Sequence, residues 1–92
     1  MDTKWLQCEI GEGQFSGEYA VRGKLSDSSG FSLFASEKAV QFEKAPSGGE
    51  FVNGSISVRV LGEKGQLVLV SLPEPTFENG QTITVDKNCV RP

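Results

Sequence analysis

A chain of 92 residues with 37% hydrophobic and 23% charged side chains has the balance of one globular domain, and this excludes a disordered tract and a membrane-embedded bundle. Twelve acidic against nine basic residues leave a net charge of −3. The basic residues stand singly along the chain, without the cationic stripe that phosphate recognition needs, so no nucleic acid is expected as a partner.

In chain order, Leu6, Cys8 and Ile10 alternate with Trp5, Gln7 and Glu9, the period of a half-buried strand. A second alternating stretch runs from Phe15 to Val21 after Gly11-Glu12-Gly13, with Gly17 expected as a bulge or sharp bend inside it. Asp27-Ser28-Ser29-Gly30 reads as a turn, and Phe31, Leu33 and Ala35 follow on one face of a third strand. Between Ser36 and Ala45 a short helix competes with a strand. The alternation of Val40 and Phe42 favours a strand around residues 40–43.

Val52, Ile56, Val58 and Val60 mark another strand. Within it Asn53-Gly54 reads either as a hairpin tip or as a bulge, and the two stay open. A tight connection over residues 61–66 leads to residues 67–72, apolar on both faces and expected to form a fully covered central strand, with residues 67–70 the most buried of the chain. Pro73 and Pro75 interrupt pairing because neither donates a hydrogen bond. Asn79-Gly80 signals a tight turn. Residues 82–85 form the next strand, and Cys89-Val90 a short terminal one. No internal repeat is visible. The expected fold is all-β: one antiparallel barrel or sandwich spanning residues 1–92, of SH3-like or OB-like size, with six to eight short strands and at most one short helix near Ser36-Ala45.

The longest apolar run, residues 67–70, is far short of the roughly 20 residues of a spanning helix, and the first residues carry no apolar export segment. No membrane partner and a cytoplasmic setting are therefore expected. In that setting Cys8 and Cys89 read as reduced thiols, with a clasp between the terminal strands as the sharper alternative. Two cysteines without histidine are too few for a structural metal, so no metal is expected.

With no histidine in the chain, Ser-His-Asp and Cys-His catalysis are excluded within one molecule. No P-loop and no dinucleotide fingerprint occur, so no cofactor is expected. Glu9, Glu12 and Glu18 read as solvated carboxylates rather than an acid–base pair. Catalytic residues are therefore expected to be none. A possible binding surface is assigned to Trp5, which falls on the polar side of its strand, and to Tyr19. Two function classes follow. The preferred one is a small acidic, non-enzymatic module that binds a protein or assembles with itself. The alternative is a small-molecule or carbohydrate-binding barrel.

Overall fold

Period-two alternation becomes strand along most of the chain. The computed structural model describes residues 3–78 and 80–92. Asn79 of the expected Asn79-Gly80 turn lies outside the described residues. The strands are β1 (Thr3–Glu12), β2 (Glu18–Lys24), β3 (Gly30–Ser36), β4 (Val40–Phe42), β5 (Val52–Lys64), β6 (Leu67–Thr76), β7 (Gly80–Asp86) and β8 (Val90–Arg91). All pairings are antiparallel, in the order β3-β2-β1-β5-β6-β7, with β4 added to β5 and β8 added to β1. The sheet curls about its inner face into a half-barrel. Leu6, Ile10, Val21, Leu33, Ile56, Val58, Val70, Ile83 and Val85 fill that face, each at most 3% exposed.

The two ends of the curl are tied across. The Ser26 N–H donates to the Thr84 carbonyl at 3.0 Å, and the Phe77 N–H to the Ser32 carbonyl at 2.9 Å. Ser32 also donates its N–H and hydroxyl to the two carboxylate oxygens of Glu78, at 2.7 and 2.6 Å. The hydroxyl bond, helped by the backbone one, holds the Glu78 carboxyl below its usual range. Phe34 meets Phe77 edge-on at 5.6 Å beside this clasp.

The segment between Ser36 and Ala45 is a single 3-10 turn, Glu37–Ala39, followed by β4. The Ser36 hydroxyl accepts the Lys38 N–H at 3.2 Å and caps that turn. The open edge of β5 then captures Val40 and Phe42 against Ile56 and Gly54. Asn53-Gly54 is neither a hairpin tip nor a bulge. It lies in regular register, Asn53 opposite Glu9 and Gly54 opposite Cys8. The bulge falls at Leu61 instead, where the β5–β6 register shifts between Val60 and Gly62. Gly17 and Phe15 belong to the turn ahead of β2, and Phe15 is 73% exposed. The Asp27 carboxylate closes its own turn, accepting the Ser29 N–H at 2.9 Å.

The expectation for β6 needs correction. Val68, Val70 and Leu72 are buried, but Leu67 is 42% and Leu69 40% exposed. β6 does lie between β5 and β7. A curled single sheet covers only its inner face, however, so a strand central in hydrogen bonding is still bare on one side.

The chain also contains a repeat that its side chains conceal. The strand order is unchanged when β1–β4 are exchanged with β5–β8. Val40 pairs with Ile56 as Val90 pairs with Leu6, and Gln41 with Ser55 as Arg91 with Trp5. In each of these pairs the matched residues stand fifty positions apart. Both halves place a 3-10 turn before their short last strand. The Glu37 N–H donates to the Gly17 carbonyl at 2.9 Å, and the matching Lys87 N–H to the Gln66 carbonyl at 2.8 Å. A pseudo-two-fold axis therefore passes through the Leu6–Ile56 pair, and the expectation of no repeat is overturned. What recurs is backbone pairing, which constrains apolar alternation but not residue identity.

Cys8 and Cys89 are unbridged, Cys8 buried and Cys89 half-buried. Burial, with the negative charge of Glu9 adding to it, pushes the Cys8 thiol from 9.0 up to about 12. An unfolded chain ionises this thiol first, so its contribution to stability is complete below pH 9.0 and is lost as pH rises towards about 12. Val58 stands fifty positions on, with its side chain equally inward. Cys8→Val should thus fold normally and lose less stability than the wild type across that alkaline window. Denaturant titrations of both proteins from neutral to alkaline pH check this, and parallel curves would refute it.

Candidate functional site

Alternation in β1 turns Leu6 and Cys8 into the core and Trp5 and Gln7 outward. In β5 it turns Ile56 and Val58 inward and Asn53, Ser55 and Ser57 outward. Antiparallel pairing sets Trp5 opposite Ser57, and Gln7 opposite Ser55. The two short strands flank this floor, bringing Arg91 beside Trp5 and Gln41 beside Ser55. An open groove of about 1130 Å³ lies here, somewhat above the roughly 300–1,000 Å³ of ligand sites.

Residues from both faces of the sheet line it. Outward-facing Trp5, Gln7, Gln41, Asn53 and Ser55 share it with Tyr19, Val40, Phe42, Val52 and Gly54, whose positions alternate inward. It therefore wraps the end of the sheet at β4. Tyr19 and Phe42 meet edge-on at 5.1 Å, an arrangement favoured by the ring quadrupoles. Four charged residues, Glu37, Glu43, Lys44 and Arg91, whose side-chain charges cancel, complete the lining together with Pro92. Gly54 makes the approach of β4 possible: a Cβ there would overlap the Gln41 carbonyl oxygen and come within 2.7 Å of Ile10 Cγ1.

Trp5 and Tyr19, the two residues singled out in the sequence, both line this groove. Gln7 was legible with Trp5, since alternation places it on the same face. Gln41, Asn53, Ser55, Phe42 and Arg91 had no such signal, because they reach the groove only through the β4–β5 and β8–β1 pairings. The carboxylates of the first hairpin stay outside it. Glu9 accepts from Arg22 Nε at 2.7 Å, and Glu18 from the Phe15 N–H at 3.2 Å. Arg22 also lies over the Phe51 ring, 3.8 Å from its centroid.

Among the described residues, no cluster of three or more cysteine or acidic side chains is gathered as a metal site, and no helix is long and apolar enough to cross a membrane. No protein-family model, curated protein or solved structure matches this chain.

Proposed function

We propose that this protein is a non-enzymatic binding domain and that the groove around β4 is its binding site. One observation carries the reading: an open groove wraps the end of the sheet, lined by Trp5 and the amides of Gln7, Gln41 and Asn53 on the outer face and by the Tyr19–Phe42 pair on the inner one. Apolar contact area combined with a few fixed polar groups is the usual composition of a ligand site. The alternative weighed from the sequence, a ligand-binding barrel, thereby moves ahead of a protein-interaction module.

Trp5 is the only tryptophan of the chain, so its fluorescence reports on the groove directly. Short oligosaccharides, short peptides, nucleotides and single-stranded DNA, each titrated to about 1 mM, the weak end of useful affinity, form the test. At least one class should shift the Trp5 emission saturably. Silence from all four would refute the groove as a binding site.

A protein partner or self-association is the second reading, and a separate surface favours it. Leu67 and Leu69, at 42% and 40% exposure, share the outer face of β6, and Leu61, at 50%, stands at the bulge of the neighbouring β5. Sparse exposed leucines need no explanation, but a group of them on one sheet face is characteristic of an interface. A silent groove together with a dimer in sedimentation would transfer the function to that face.

A further inference from the structure

The groove floor is unequal about the pseudo-two-fold axis. Each outward residue has a counterpart in the other half: Trp5 with Ser55, Gln7 with Ser57, Gln41 with Arg91. The backbone positions of Trp5 and Ser55 correspond, since each faces its neighbouring strand and its flanking short strand in the same register. One half therefore carries an indole where the other carries a hydroxymethyl group. The space left over Ser55 is bordered by Gln7 on β1 and Gln41 on β4.

We propose that this space holds a pyranose ring of a neutral saccharide, its apolar face against Trp5 and its hydroxyls hydrogen-bonded by Gln7, Gln41 and Asn53. Ser55 sets the specificity by its small size. The proposal rests on the groove being the binding site.

Three features favour this ligand class. A pyranose presents C–H groups on one face and hydroxyls around its rim, matching an amphipathic indole surrounded by planar polar groups. The amides both donate and accept, as hydroxyls do. The charges of Glu37 and Glu43 oppose those of Lys44 and Arg91, so no net positive field selects a phosphate. An extended peptide would seek main-chain pairing along a strand edge. β4 has only three residues, too short an edge to support much of a ladder.

The test is calorimetric titration of the intact chain with short oligosaccharides of glucose, mannose, galactose and N-acetylglucosamine. Wild type, Ser55→Trp, Trp5→Ala and Gln41→Ala are compared, with Lys24→Gln, an exposed position on β2, as a control outside the groove. Ser55→Trp should fold, because the matching position already holds a tryptophan. It should occlude the space and weaken the best saccharide by at least about tenfold, which is ~1.4 kcal/mol. Trp5→Ala and Gln41→Ala should weaken it too, and they keep the test decisive if Ser55→Trp is unstable. Lys24→Gln should bind as wild type does. No saccharide binding, or equal binding by the folded groove variants, would overturn the proposal. Peptide or nucleotide binding that Ser55→Trp abolishes would overturn the saccharide class and leave the groove site standing. Silence from every ligand class would remove both.

Discussion

Replacing Phe31 by alanine should lower stability by about 3–5 kcal/mol, the range for deleting a buried phenylalanine. The side chain is 2% exposed, and its ring presses on the backbone of β2. A Cβ added at Gly23 would come within 2.6 Å of that ring, so Gly23 leaves the space that Phe31 fills. The opposite expectation holds for Leu69. Because it is 40% exposed, Leu69→Ala should cost little more than the ~0.5 kcal/mol of surface changes. Urea unfolding of the two variants measures both, provided the slope with denaturant is unchanged. Equal losses would mean that the outer face of β6 is covered, as residue composition alone suggests. In a domain near the lower end of the usual range of about 5–15 kcal/mol, the Phe31 loss would leave a measurable unfolded population at ordinary temperature.

Gly54→Ala should cost about 1–3 kcal/mol, as overpacking does, and should damage the groove selectively. The atom that a new Cβ would strike is the backbone carbonyl oxygen of Gln41, which cannot rotate aside as a side chain can. β4 must then lift away from β5. That movement breaks the Val40–Ile56 and Phe42–Gly54 registers and displaces Gln41 and Phe42 from the groove wall. Amide exchange should accelerate at residues 40–42 and 54–56 while β6 and β7 stay protected. Ligand-induced changes in Trp5 emission should fall with it. Wild-type stability and exchange in Gly54→Ala would show that β4 does not pair closely with β5.

The amino-acid sequence by itself determined the all-β class and most strand positions. Alternation of Leu6, Cys8 and Ile10, or of Ile56, Val58 and Val60, has only one solution in which a single face is buried. The turn around Asp27-Ser28-Ser29-Gly30 and the lapse in pairing after Ser71, ahead of Pro73 and Pro75, follow from local chemistry and were equally legible. Trp5 stood out because it interrupts a polar face.

Tertiary structure decided the rest. Burial of Leu67 and Leu69 depended on whether a second layer covers β6, and no property of that segment encodes a layer elsewhere. Asn53-Gly54 carries a strong turn signature, yet long-range pairing with β1 on one side and β4 on the other holds it extended. The repeat is hidden in the sequence because Trp5 and Ser55, or Cys8 and Val58, share a backbone position without sharing chemistry. The groove is the clearest case. Its residues come from β1, β2, β4, β5 and β8 and the segments that flank β4 and β8, and only the registers that join those strands bring them together. Local sequence sets the face on which each side chain lies. The pairing of distant strands sets which faces become neighbours, and in this chain that pairing created the groove.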